Sequence, residues 1–228
     1  MKRFGVDRIV DRIVDRIVDA TVAATLVVAI TAACSGNHAP SPASSGATAS
    51  PANAVQTAYG CAPVSVDKWA DQEPGPSGEP TVRLPQPANW KRVNWPDAGN
   101  VRLMLRNDNL GNRLAPSVVV SVTEDTGRVP SAQAIIDAER DNINHSGATD
   151  LADTPGSVCG FTATTFTYKS DRGAPAPRSL RAVVVAPEYD NKLFDVVVTA
   201  QAGDAADQAY LPDAQTILTG MEIKAPAH

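Results

Sequence analysis

Apolar residues are distributed along this chain in three ways. Near the N-terminus they form one uncharged run, Ala20 to Ala33 (ATVAATLVVAITAA). Past residue 80 they recur at every second position in short stretches, and in two places they step by three and four. The uncharged run is shorter than the roughly 20 residues a bilayer crossing needs, and it matches the apolar heart of a secretory leader, which is removed after export. Ahead of it, Val-Asp-Arg-Ile occurs three times between Val6 and Ile17. A period of four drifts around a helix and leaves no apolar seam, so residues 1–33 are read together as a signal peptide. The competing reading is a short buried helix of the mature fold.

Two-residue alternation marks the strands. Thr81 to Leu84 is one, stopped by Pro85 and Pro87. Val101 to Leu105 and Ser117 to Thr123 are two more, separated by the turn-forming Asn107-Asp108-Asn109-Leu110-Gly111, and Val118, Val120 and Val122 share a face. Pro130 and Ser131 open a helix through Ala134, Ile135, Ala138, Arg140 and Ile143. From Val158 to Tyr168 a strand is expected, but Phe161 and Ala163 hold odd positions while Phe166 and Tyr168 hold even ones. That change of phase at Thr164-Thr165 predicts a β-bulge. Leu180 to Ala186 and Leu193 to Ala200 form a hairpin over Pro187-Glu188-Tyr189-Asp190-Asn191, with Phe194, Val196, Val198 and Ala200 inward. A last helix, from about Ala206 to Thr219, precedes Met221-Glu222-Ile223 as an edge strand. Strands interrupted by two helices predict an α+β fold: an antiparallel β-sheet packed with helices.

Between leader and strands, Ser35 to Gly60 is almost free of large apolar side chains and rich in Ser, Ala and Pro. Such a composition buries too little surface to offset its ordering entropy. Residues 34–60 are expected to be a disordered tether, spanning about 25–30 Å as a random coil. Residues 61–228 are expected to be a single domain. The chain carries 20 basic and 25 acidic residues, net -5. Nucleic acid is excluded as a partner on that ground, because it demands clustered Lys and Arg.

The leader ends in Thr31-Ala32-Ala33-Cys34-Ser35-Gly36. This resembles the lipobox of bacterial lipoproteins, although the usual Leu three residues before the cysteine is Thr31 here. The resemblance implies that Cys34 becomes the new N-terminus, bearing diacylglycerol with acyl chains such as palmitate. Each buried methylene contributes roughly 0.8 kcal/mol to membrane attachment. The alternative is an ordinary signal-peptidase site with Cys34 incidental. Cys61 and Cys159 then remain, and in an exported chain they are expected to form a disulfide, with two buried free thiols as the alternative.

Within the domain, three segments carry a family resemblance: Pro80-Thr81-Val82-Arg83-Leu84-Pro85-Gln86-Pro87 followed by Trp90, Gly160-Phe161-Thr162-Ala163 with Tyr168 downstream, and Arg178-Ser179-Leu180-Arg181-Ala182-Val183-Val184-Val185-Ala186. The stretch from about Cys61 to Ile223 is similar to the LpqN/LpqT-type lipoproteins of mycobacteria. That resemblance implies a Mog1/PsbP-like α/β sandwich on the outer face of the cell membrane. It also implies a non-enzymatic role in envelope biogenesis, through binding of an envelope ligand such as a trehalose glycolipid or as an adaptor docking envelope transport or mycolyl-transfer proteins. It assigns no ligand contact to a particular residue.

Catalytic patterns are weak. His38, His145 and His228 have no neighbouring metal-ligand partners, so no metal and no cofactor is expected. No Gly-x-Ser-x-Gly elbow accompanies His145. Ser65-Val66-Asp67-Lys68 fits the Ser-x-x-Lys spelling of penicillin-recognising enzymes but lacks its partner motifs, and Lys68 is expected only to solvate a helix start. Asn107-Asp108-Asn109 lacks the closing Glu of a calcium loop, and Asp137, Glu139 and Asp141 are expected on a wetted helix face. Trp90, Phe161, Phe166 and Phe194 are expected in the core. Trp69, Trp95 and Tyr189, in loops or at element ends, are the candidate ligand-binding residues, since a ring there can stack on a sugar or line an acyl groove; ordinary packing is the alternative for each.

Overall fold

Runs of Val at the centre of the domain build a sheet that is buried on both faces, and every other element is placed by it. The computed structural model describes residues 57–59, 61, 64–76, 78–93, 99–110, 115–171, 177–203 and 210–226. The leader, Cys34 and Trp95 lie outside these. In chain order the elements are β1 (Thr57–Tyr59), β2 (Trp69–Asp71), β3 (Thr81–Pro85), β4 (Lys91–Arg92), β5 (Val101–Arg106), β6 (Ser117–Glu124) and α1 (Ala132–His145). They continue with β7 (Thr149–Val158), β8 (Phe161–Ser170), β9 (Arg178–Val185), β10 (Glu188–Tyr189), β11 (Lys192–Ala202), α2 (Tyr210–Thr219) and β12 (Glu222–Lys224).

The main sheet runs β1-β7-β8-β9-β11-β6-β5-β4, with β10 paired onto β11, and a smaller sheet runs β12-β3-β2. On one face of the main sheet, Val118, Val120 and Val122 of β6 and Phe194, Val196 and Val198 of β11 pack with Leu84, Trp90, Ile217, Leu218 and Met221. On the other face Ile135, Ile136 and Ile143 of α1 cover Phe166, Ala182, Val184 and Ala186. Three layers result: α1, the main sheet, and α2 with the small sheet. This is the expected α+β architecture, antiparallel in every pairing but one.

That exception moves a boundary. β1 pairs in parallel with β7, Thr57 opposite Gly156 and Tyr59 opposite Val158. The fold therefore takes in residues that composition assigned to the tether, because main-chain pairing needs no apolar side chain. Just beyond, Cys61 and Cys159 form a disulfide with their Cα atoms 5.0 Å apart and 98 positions between them in sequence. Closing a loop of that length contributes up to about 4–5 kcal/mol in the chain-entropy picture. Cys61 N donates to Met221 O (2.9 Å), and Ile223 N donates to Cys159 Sγ (3.4 Å). The bridge thus gathers the approach to the domain, the β7–β8 turn and the approach to β12.

Three expectations are corrected. No bulge interrupts β8, which pairs without a break against β9 from Ala163 to Ser170. Ala163 and Phe161 serve the α2-side core while Phe166 and Tyr168 serve the α1-side core, so the apparent change of phase is a strand covered on both faces. The strand also begins later than Val158: Cys159 (φ 52) and Gly160 (φ 87) make a two-residue hairpin turn with both residues left-handed. Before that turn lies β7, a strand the alternation did not reveal, since it is largely exposed and contains Pro155 and Gly156. Finally, α1 buries Ile135, Ile136 and Ile143 but exposes Ala138, so its inner stripe is rotated to include Glu139. Ser131 caps this helix, its hydroxyl accepting from Ala134 N at 3.3 Å.

Candidate functional site

An open pocket of about 380 Å³ lies where β8 and β9 meet the start of α2, within the range of small-ligand sites. Three successive cross-strand pairs form its floor: Thr167 with Arg181, Tyr168 with Leu180, and Lys169 with Ser179. Tyr210, Leu211 and Ala214 of α2 form the wall, and Asp150 of β7 the opposite rim. Asp150 reaches this position through an irregularity in the β7–β8 register between Thr149 and Ala152, where Asp150 adopts φ 55. A bulge beside a site re-aims a side chain in this manner.

Apolar and polar groups alternate around this pocket. Lys169 Nζ contacts Asp150 Oδ2 at 2.8 Å, and the hydrogen bond to that carboxylate holds the ammonium above its ordinary pKa. Arg181 Nη1 donates to Gln215 Oε1 of α2 at 3.1 Å. Burial pushes the Tyr210 phenol up to about 12, with the Arg181 charge opposing. The Tyr168 phenol also lies near 12, raised by burial first and by the negative Glu139 second. The Tyr210 phenol is thus a donor to the pocket throughout the physiological range, while the Tyr168 side chain faces the α1-side core. Leu211, 42% exposed, is the large hydrophobic residue left open to solvent among the described residues. Taken together the lining can hold an apolar chain against Leu211 and Ala214 while hydroxyl and charged groups grip a polar head.

A second polar cluster lies beneath α1, with Asp195 buried and Glu139 and Asp125 half-buried. Asp195 of β11 sits opposite Thr123 of β6 on the α1-facing side of the sheet. Its carboxyl is held well above the usual range, by burial first, then by the negative charges of Glu139 and Asp125 and by a hydrogen bond to Glu139. That same bond lowers Glu139, which burial raises, so Asp195 is the proton donor of the pair. Asn142 Nδ2 donates to Glu139 Oε1 at 3.1 Å, while Asp195 Oδ1 is buried without a partner. Burial also raises Asp125, against the pull of Arg128. Glu139 is therefore not on a wetted face as its spacing suggested; Asp137 and Asp141 are exposed. The sequence signal for this cluster was a lone Asp inside the Phe194–Val198 run, in a strand environment that disfavours Asp.

The aromatic candidates are placed separately. Trp69 of β2 is half-buried, with the Arg83 guanidinium 4.7 Å from its ring centroid. Tyr189 of β10 packs edge-on against Phe161, centroids 5.3 Å apart, beside the α2-side core. Neither lines the pocket, and Trp95 lies outside the described residues. Trp90 and Phe194 are buried in the α2-side core and Phe166 in the α1-side core; Phe161 is partly buried against the first of these. Ser65 and Lys68 stand in irregular chain rather than on a helical turn, so the Ser-x-x-Lys geometry is not formed, nor is Lys68 at a helix start. Asn107 Oδ1 accepts from Asn109 N at 3.0 Å, which makes Asn107-Asp108-Asn109 a side-chain-stabilised turn. His145, the last residue of α1, donates through Nδ1 to Asp141 O at 2.7 Å.

Residues 66–224 match the family described as Probable lipoprotein LpqN. No curated protein matches the chain. Among solved structures, the chain is similar to LpqN of Mycobacterium tuberculosis, described as involved in cell envelope biogenesis. The TM-score is 0.53 at 16% identity, over 69% of this chain and 91% of that one. At this identity the likeness shows a shared fold. Lower-scoring matches are cyanobacterial PsbP from Synechocystis (TM-score 0.42, 13% identity, covering 68% of this chain and 95% of that one) and the Saccharomyces cerevisiae Ran-binding protein Mog1p (0.41, 12%, 66% and 85%).

Proposed function

The chain belongs to the LpqN lipoprotein family, and from that premise we propose that it is a membrane-anchored, extracytoplasmic, non-enzymatic lipoprotein that binds a cell-envelope amphiphile, such as a trehalose glycolipid, in support of envelope biogenesis. The anchor in this reading is diacylglycerol on Cys34. Among the described residues no helix is long and apolar enough to cross a membrane. The observation that carries the binding role is the pocket at β8, β9 and α2, with its exposed Leu211 beside the Tyr210 phenol and charged groups. An exposed leucine facing a half-enclosed cavity is what an acyl chain needs, and the flanking hydroxyls suit a sugar. The direction of β1 adds to this. It runs from the level of Gly156 towards Val158, so its N-terminal end points along β7 to Asp150 and the pocket. A tether entering at Thr57 draws that end of the domain towards the bilayer.

Thermal unfolding of the full chain in the presence of fractionated envelope lipids tests the reading. A fraction containing glycolipid raises Tm, and Leu211→Asp at the rim abolishes the rise without lowering the unliganded Tm. Equal shifts in wild type and Leu211→Asp would refute the assignment to this pocket. An unmoved Tm with every fraction, joined to reproducible crosslinks with envelope proteins, would replace binding by the adaptor role.

A further inference from the structure

We propose that the pocket on the β8–β9 ladder selects an amphiphile whose head carries an anionic group, a carboxylate, phosphate or sulfate, and that Arg181 is the residue that reads it. This rests on the binding role above and adds the charge of the ligand, which nothing about the family supplies.

The two cations of the pocket are not equivalent. Lys169 is committed to Asp150 at 2.8 Å on the outer rim. Arg181 is met by a neutral amide oxygen, that of Gln215, through one of its two terminal nitrogens. No carboxylate of the described residues forms an ion pair with Arg181, in contrast to Arg83, Arg92, Arg102, Arg106, Arg128 and Arg140, each of which has one. A guanidinium presents five N–H groups in a planar fork, and Gln215 engages a single one. Among the described residues nothing else engages its remaining N–H groups, which suit a two-pronged contact of the kind carboxylate and phosphate accept.

The neighbours fit that role. The Tyr210 phenol is close enough to Arg181 for the guanidinium charge to act on its ionisation, and it stays protonated, hence a donor. Ser179, two residues earlier on β9 and on the same face of the strand, adds a hydroxyl. Lys169, Arg181 and Asp150 leave the lining at +1 in a chain whose net charge is -5. Leu211 and Ala214 of α2 supply apolar surface beside this donor group, so head and tail of one molecule can be satisfied together. A neutral sugar head would leave the guanidinium to water.

Titration calorimetry on the purified full chain decides the matter with three probes below their micelle concentrations: dodecyl phosphate, dodecyl maltoside with the same tail and a neutral disaccharide head, and inorganic phosphate. The expected result is that dodecyl phosphate binds about tenfold more tightly than the maltoside, the value of one charge-assisted contact. Inorganic phosphate binds more weakly than dodecyl phosphate, and added salt narrows the preference. Arg181→Gln erases the preference, the dodecyl phosphate affinity falling to that of the maltoside in the same variant, and Arg181→Lys retains part of it. Equal affinity for the two amphiphiles, or a preference that survives Arg181→Gln, overturns the anionic assignment and leaves amphiphile binding standing. Inorganic phosphate binding as tightly as dodecyl phosphate overturns the lipid part of the assignment. Failure of both amphiphiles to bind refutes this proposal and the pocket's binding role together.

Discussion

Replacing Asp195 by Asn removes a titration from the layer between β11 and α1 while keeping a donor for Glu139. The carboxyls of Asp195, Glu139 and Asp125 are all held above their ordinary range, burial being the first cause for each. A carboxyl with a raised pKa keeps its proton in the folded chain at a pH where the unfolded chain has released it. Its contribution to stability is therefore full below the ordinary value of 3.8 for Asp and is lost as pH rises through the folded value. Near neutral pH the wild type either carries a charge inside or withdraws a proton from a solution that holds few, and both are costly. Asn keeps the oxygen that Asp195 buries without a partner, so the gain comes from the titration removed; an unsatisfied buried group costs about 1–3 kcal/mol, and more when it is charged. In a domain of this size 1 kcal/mol moves Tm by about 2–4 °C. Asp195→Asn is accordingly expected to raise Tm by about 2–12 °C at about pH 8, with the gain closing towards about pH 4. Thermal unfolding followed by circular dichroism over that range, with the disulfide intact, measures it. A variant less stable than wild type at the alkaline end, or a difference that does not change with pH, would refute the shared-proton account of this pair.

Two further substitutions test the packing that holds the pocket in place. Trp90, 2% exposed, donates from Nε1 to Asp213 Oδ2 at 2.7 Å and so ties β4's approach to α2. Trp90→Phe is expected to cost about 1.5–3 kcal/mol in urea denaturation, and most of that loss should vanish in an Asp213→Ala background, which has no acceptor, whereas full additivity would show the contact to be idle. At Gly220, immediately after α2, an added Cβ would lie 2.6 Å from Pro85 Cγ, 2.8 Å from Val64 Cγ2 and 2.9 Å from Thr216 O. Gly220→Ala should therefore destabilise by about 1–3 kcal/mol, and an unchanged midpoint would mean that α2 shifts freely on β3.

Much of the fold was legible because both core faces leave periodic traces. The inward row Phe194, Val196, Val198 and Ala200 and the row Val118, Val120 and Val122 were read from alternation alone, and the cap at Ser131 from local chemistry. Where alternation failed, physical causes are visible. In β8 two rows overlap, one for each core, and in a single strand this resembles a slipped register. β7 is exposed over most of its length and so carries no hydrophobic row. β1 is held by main-chain pairing to Gly156, Ser157 and Val158, which a composition of Thr, Ala and Tyr does not announce.

The pocket was not legible, and the reason differs. Its residues come from β7, β8, β9 and α2, and their proximity depends on a ladder register that places Thr167 opposite Arg181 and on a helix that crosses the strand ends at Tyr210. Aromatic residues in predicted loops were the natural candidates, yet Trp69 is engaged by Arg83 and Tyr189 by Phe161. Glu139 carries the same lesson inward. Between Asp137 and Asp141 it reads as one acid of a solvated run, and only the rotation of α1 that buries Ile135, Ile136 and Ile143 together turns it towards Asp195. A sequence shows which residue types a face can use; the polar residue that a fold turns inward, or leaves without a carboxylate partner among the described residues as at Arg181, is decided by the pairing of elements distant in the chain. For that reason Asp195 and Arg181, two polar side chains whose spacing gave no warning, are where substitution should separate the stability of this domain from its ligand choice.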